Sequence, residues 1–185
     1  HSLNEVVFDN VRVPTANRIG EEGKGWTYAK ALLAHERTSI AAVADSKRKL
    51  RELRELLAQE VSGGRPLSED TQFQNRLSNT EIELMALEYT ELRVLASTAD
   101  GKGPGVESSL LKIKGTEIQQ AIQQMYMDLA GYYSGVIHGE DTEESIGHAF
   151  GHSARQAYMY GRAATIYGGS NEVQKNITAK YVLGL

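Results

Sequence analysis

The chain has 185 residues, 41% of them hydrophobic and 24% charged, a balance that suits one domain able to bury a sizeable core. Twenty Lys and Arg against 24 Asp and Glu leave a formal charge of -4, so there is no basic footprint for nucleic acid, and no run of about 18 apolar residues is present to span a bilayer. With no cysteine there are no disulfides and no thiolate chemistry, which fits a reducing compartment; the cytoplasm is the expectation, and an organelle matrix is equally compatible.

The opening segment, residues 4–13, is rich in β-branched residues and is stopped by Pro14. It reads as a strand with nothing in the chain to pair with. Residues 1–20 are therefore expected to be the end of an upstream β domain and its linker, and residues 21–185 a helical domain. A chain opening on His1 is expected to be part of a longer protein.

After the glycine-rich turn at 20–25, one continuous helix is expected over residues 26–59, with Ala29, Leu32, Leu33, Ile40, Val43 and Leu50 at helical spacing. Gly63, Gly64 and Pro66 end it. Ser68, ahead of Glu69 and Asp70, reads as the N-cap of a second helix reaching residue 99. A turn at 101–105 leads to a third helix over 107–129, closed by Gly131, and the polar stretch 132–151 reads as a loop. A fourth helix is expected over 152–165 and a shorter fifth over 171–182. The fold class is all-α: an antiparallel four-helix bundle with an appended short C-terminal helix, preceded by the residual strand.

Glu36 is the residue that calls for explanation. On a helix its neighbours at -4, -3, +4 and +7 are Leu32, Leu33, Ile40 and Val43, which sets a carboxylate within the apolar stripe. Partial burial raises a carboxyl pKa and makes a base usable near neutral pH. The plainer alternative is an ion pair with Arg37 or with a lysine of another helix. A second feature is Tyr167-Gly168-Gly169-Ser170-Asn171-Glu172. Two glycines allow close backbone approach to a ligand, and a serine at a helix N-terminus offers donors; the alternative is a helix–helix turn with a serine cap. His148 and His152 stand four apart near Glu143 and Glu144, but without cysteine or a His-Glu-x-x-His pattern no metal site is expected. The tyrosines, Tyr158 and Tyr160 among them, read as packing residues.

Four blocks in order carry a resemblance. They are Phe8-Asp9-Asn10-Val11-Arg12-Val13-Pro14; Ile19-Gly20-Glu21-Glu22-Gly23-Lys24-Gly25-Trp26; Leu33 with Glu36-Arg37; and Arg162-Ala163-Ala164-Thr165-Ile166-Tyr167-Gly168-Gly169-Ser170-Asn171-Glu172-Val173-Gln174-Lys175-Asn176-Ile177 with Leu183-Gly184-Leu185. Together the sequence resembles the C-terminal domain of the acyl-CoA dehydrogenases. The resemblance implies FAD as cofactor, an acyl-CoA substrate, an electron-transfer flavoprotein or similar acceptor, and a dimer or tetramer in which apolar residues of the third and fifth helices meet other subunits. Many members keep the catalytic base at the position of Gly168, which has no side chain; a second group keeps it in the first helix of the domain before an Arg, the position of Glu36. By the same resemblance Arg37, Tyr167 and Gly168 would contact substrate, and Ser170, Glu172, Gly169 and Gly131 the cofactor. Two departures stand out: only Arg65-Pro66-Leu67 remains of an element that reaches a neighbouring subunit's flavin, and Tyr132-Tyr133 replace a further glycine. They keep a second reading open, a non-catalytic assembly subunit of a hetero-oligomeric dehydrogenase.

Overall fold

The computed structural model describes residues 4–99, 105–135, 147 and 149–185, with 34–38 described by backbone alone. Six α-helices are found among them: α1 (Gly25–Ile40), α2 (Val43–Gln59), α3 (Thr71–Ala99), α4 (Glu107–Ala130), α5 (Ala149–Gly161) and α6 (Asn171–Thr178). The all-α bundle expected from the sequence is the fold observed. Its axis is α4, which packs against α1, α2, α3, α5 and α6. Leu53, Leu57, Leu111, Ile118, Ile122 and Met125 are at most 1% exposed. Each such side chain contributes about 1.5–3 kcal/mol by leaving water, so the centre of the core lies along α4 and the face of α2 turned to it.

The long first helix divides. The chain leaves α1 at Ile40, turns through Ala41 and Ala42, and starts α2 at Val43; Ala42 is left-handed (φ 48, ψ 42). A left-handed alanine costs roughly 1–2 kcal/mol, and two contacts from α4 hold it. Ala41 is fully buried against Gly115, where a Cβ would stand 2.5 Å from the Ala41 Cα. Gln119 Nε2 donates to the Ile40 carbonyl at 2.9 Å, satisfying a C-terminal acceptor of α1. Val43 therefore belongs to another helix than Glu36.

Three further boundaries differ. The α3 cap is Asp70, whose Oδ1 accepts from the amides of Gln72 (2.9 Å) and Phe73 (3.0 Å), because Ser68 is already inside a 3-10 turn over Leu67–Glu69. Where helix α2 ends, β1 (Val61–Ser62) and β2 (Arg65–Pro66) form a small antiparallel hairpin around Gly63 and Gly64, both at positive φ as a two-residue hairpin turn requires. Residues 4–14 form no strand; Val6, Val7, Phe8 and Val11 are at least 60% exposed, as expected of an extended segment with no ladder partner among the described residues. Of the two helices expected to turn apolar residues toward other subunits, α4 is largely buried as the centre of the bundle, with Leu110 41% exposed, and the C-terminal helical segment leaves Val173 and Tyr181 exposed. No helix among the described residues is long and apolar enough to cross a membrane.

Candidate functional site

The turn between α5 and α6 is built for close approach. Gly168 and Gly169 have φ of +66 and +84, a region that glycine enters without steric cost. Gln174, fully buried on the first turn of α6, reaches back with Nε2 to the carbonyls of Gly168 (3.3 Å) and Gly169 (3.4 Å). Its Oε1 is buried with no partner among the described residues. Ser170 caps α6, its Oγ accepting from the Val173 amide at 3.4 Å. Glu172 is solvent-exposed, and its carboxyl is held below the usual range by its own backbone amide and by the Ser170 hydroxyl.

Beneath this turn lies a buried polar cluster. Lys112 of α4 is 0% exposed and donates from Nζ to Asn171 Oδ1 at 2.7 Å. Asn171, the first residue of α6, donates from Nδ2 to Thr116 Oγ1 at 3.2 Å, and Thr116 in turn donates to the Lys112 carbonyl at 2.9 Å. Burial pushes the Lys112 pKa down, while the Glu172 carboxylate acts the other way. An ammonium out of water is costly unless it is paired and hydrogen-bonded, so this link is a strong constraint on where α6 begins. Sequence reasoning missed the cluster. The available signal was a lysine between Leu111 and Ile113, sharing a helix face with Ser108, Gly115 and Thr116.

The glycine turn meets α1. A Cβ on Gly168 would lie 2.5 Å from Ile40 Cδ1. Glu36 and Arg37 are on the same helix as Ile40, and Glu36 stands one turn earlier, about 6 Å along the axis at 1.5 Å per residue. Their side chains lie outside the described residues, as do His138, Glu143, Glu144 and His148. Two sequence loci, the first helix and the Gly168 turn, are thus brought together by the fold. The apolar stripe that singled out Glu36 is altered, since Leu32 is 69% and Leu33 37% exposed.

Tyr167 borders the turn half-exposed, its hydroxyl pKa raised by partial burial and then by Tyr160. Gly131 is elsewhere. It ends α4 with φ 54, fifteen residues beyond Thr116, which is roughly 22 Å along the helix, and it shares an open groove with Tyr132 and Tyr158. Arg65 is exposed in the hairpin and Tyr132 is fully exposed. An apolar cavity of about 430 Å³ between α2, α4 and α5, lined by Leu56, Ile122, Tyr126 and Phe150, has no lining residue from the glycine turn or α1.

The residues present fit the edge of a polar cofactor: two glycines without Cβ, a serine hydroxyl and the N-terminal amides of α6 line an accessible surface, with the orphaned Gln174 Oε1 behind it. Ile166, Tyr167 and Val173 are exposed beside them.

An all-α bundle in which a glycine turn adjoins the first helix is the class of protein observed, a helical domain. The chain belongs to the acyl-CoA dehydrogenase family: the model of the acyl-CoA dehydrogenase C-terminal domain matches residues 23–183. It is 29% identical over 183 residues to acyl-CoA dehydrogenase IpdE1 of Mycolicibacterium smegmatis, covering 99% of this chain and 42% of that protein. To the protein of the same name from Mycobacterium tuberculosis it is 30% identical, covering 99% and 44%. Among solved structures, an acyl-CoA dehydrogenase from Geobacillus kaustophilus superposes with a TM-score of 0.78 at 28% identity, over 96% of this chain and 44% of that one. A chain of the ChsE4-ChsE5 complex from Mycobacterium tuberculosis gives 0.77 at 28%, over 96% and 45%. The chain thus spans less than half the length of the relatives it matches.

Proposed function

We propose that this chain is the helical C-terminal part of an enzyme that dehydrogenates an acyl-CoA thioester between its α and β carbons, with Glu36 as the base. The observation that carries this reading is the meeting of α1 with the Gly168 turn at Ile40. The family's two base positions fall on these two elements, and position 168 holds no acid. Glu36 would accept the α-proton, and when bound FAD would accept the hydride that leaves the β-carbon, so that a carbon–carbon double bond forms. Ser170, the amides at the start of α6 and Gly169 would hold the cofactor's polar edge; Glu172 stands beside them, and Arg37, Tyr167 and Gly168 would line the acyl side. Gly131, at the far end of α4, would act only toward a cofactor held by another subunit of a dimer or tetramer. Residues 1–20 would join this domain to a preceding β domain, and an electron-transfer flavoprotein would reoxidise the cofactor.

The test is Glu36→Gln in the full-length protein. The amide keeps shape but cannot take the proton, so reduction of bound flavin by substrate should slow by at least about two orders of magnitude. Flavin content and oligomer size should not change. A full-rate variant would remove Glu36 from the reaction.

One observation favours a second reading, an assembly subunit whose partner supplies catalysis. Arg65 and Tyr132, which mark the departures from the family pattern, both project into solvent, and one of the similar solved structures is a complex of two named proteins. A colourless full-length protein that gains flavin only with a partner chain would establish it.

A further inference from the structure

The backbone donors around the glycine turn can be accounted for one by one. Going into it, the Ile166 and Tyr167 amides donate to the Ala163 carbonyl at 2.9 and 3.0 Å. Coming out of it, the Val173 amide meets the Ser170 hydroxyl, and the Gln174 amide donates to the Ser170 carbonyl at 3.0 Å. Between them, Gly169 and Ser170 donate to no backbone carbonyl among the described residues. Backbone donors are left in this state where water or a ligand meets them, and Gly169 is exposed.

The direction of these two amides is set from behind. In a trans peptide unit the C=O and the following N–H point opposite ways. Gln174 Nε2 draws the carbonyls of Gly168 (3.3 Å) and Gly169 (3.4 Å) toward one point inside the fold, so the N–H groups of the same two units, those of Gly169 and Ser170, are turned outward side by side. Charge fixes which end of the side chain faces the turn: reversed, Oε1 would meet two carbonyl oxygens. Gln174 is 0% exposed, and its Oε1 has no partner among the described residues. An acceptor left unmet in the core costs stability. A methionine would fill much the same volume without that cost, but it would release both carbonyls. The arrangement also excludes a side chain at position 169, whose Cβ would lie 2.5 Å from Gln174 Nε2.

We propose that Gln174 is a positioning residue: by holding the two glycine carbonyls inward, it aims the Gly169 and Ser170 amides as a donor pair at an oxygen of the bound flavin nucleotide. The inference rests on the reading that this turn lines the cofactor. Its test is flavin affinity in the full-length protein, which proton transfer to Glu36 does not enter, so loss of Glu36 as base would leave it standing. Ser170 has φ -58 and ψ 155, angles that proline also takes. Ser170→Pro therefore deletes one N–H of the pair, whereas Ser170→Ala deletes the hydroxyl and keeps the N–H. Gln174→Met and Ser170→Pro should each raise the FAD dissociation constant at least about tenfold, the loss of one well-aimed hydrogen bond, and Ser170→Ala should raise it less. Together, Gln174→Met and Ser170→Pro should cost less than the product of the single effects, because part of what the glutamine aims is already gone. Circular dichroism checks that each variant folds. If Gln174→Met does not, hydrogen exchange read at single residues in the unmodified protein carries the test: the Gly169 and Ser170 amides should exchange freely without FAD and be protected with it. Unchanged FAD affinity in Gln174→Met, strictly multiplicative effects, or amides already protected without FAD would overturn this inference alone. A full-length protein that takes up no flavin would overturn it together with the reading of the site.

Discussion

Gly168 and Ile40 compete for one volume: a Cβ at position 168 would lie 2.5 Å from Ile40 Cδ1, although the two residues are far apart in sequence. Gly168→Ala should therefore destabilise the chain. The left-handed backbone accounts for roughly 1–2 kcal/mol, and displacing the flexible tip of Ile40 adds less. Ile40→Val removes the colliding methyl. The double variant should be more stable than the two single effects predict, by about 0.5 kcal/mol in a denaturant cycle; strict additivity would show that α1 does not press on the glycine turn.

The elbow between α1 and α2 gives a test of sign. Glycine to alanine inside a helix normally stabilises by roughly 0.5–1 kcal/mol. At Gly115 the new Cβ would meet the backbone of Ala41 at 2.5 Å, and backbone cannot swing aside; the cost of overpacking, about 1–3 kcal/mol, should win. Gly151, in the first turn of α5, has only an ordinary contact with Ala130 at 3.6 Å. Gly151→Ala should be neutral or mildly stabilising. Opposite signs for the two variants in thermal unfolding are the expected outcome.

Lys112 should make stability depend on alkaline pH. Its folded pKa is lowered from the ordinary 10.5 by burial, so between the lowered value and 10.5 the unfolded chain binds more protons than the folded one. In that window the contribution of Lys112 rises with pH; below it, the full penalty of burying the ammonium is present. Lys112→Met removes this contribution and takes from Asn171 Oδ1 its short donor, leaving the Thr116 hydroxyl at 3.4 Å, a loss of up to about 1–3 kcal/mol for a buried acceptor. The stability difference between parent and variant, measured by denaturant titration at a series of pH values, should widen as pH approaches 10.5. A difference that narrows would mean that the ammonium is stabilised where it sits.

Asp70→Ala should cost about 1 kcal/mol through loss of the two amide bonds that start α3. Ser68→Ala should stay within about 0.5 kcal/mol, as expected of a position away from a cap. Equal losses would return the cap to Ser68.

What the sequence by itself determined is the class of fold and the motif. Apolar spacing specifies helices because a helix must bury one face, and glycines punctuate because only they enter positive φ without cost. The tyrosine–glycine–glycine–serine turn was legible for the same local reasons; the apolar stripe drawn around Glu36 was not, because the elbow at Ala41 and Ala42 puts Val43 on another helix. Tertiary structure alone decided the elbow at Ala41 and Ala42, since no glycine or proline marks it and a left-handed alanine is tolerated only where Gly115 and Gln119 hold its neighbours. It also decided that Lys112 is buried, because an ammonium leaves water only when a partner 59 residues away is in place to receive it. And it separated two helices of similar composition: α4, packed by five other helices, buries most of its apolar residues, while α3, packed by α2 and α4, leaves Ile82, Met85, Tyr89 and Leu92 exposed. Local sequence specifies that a face is apolar; what covers it is decided by the elements packed around it.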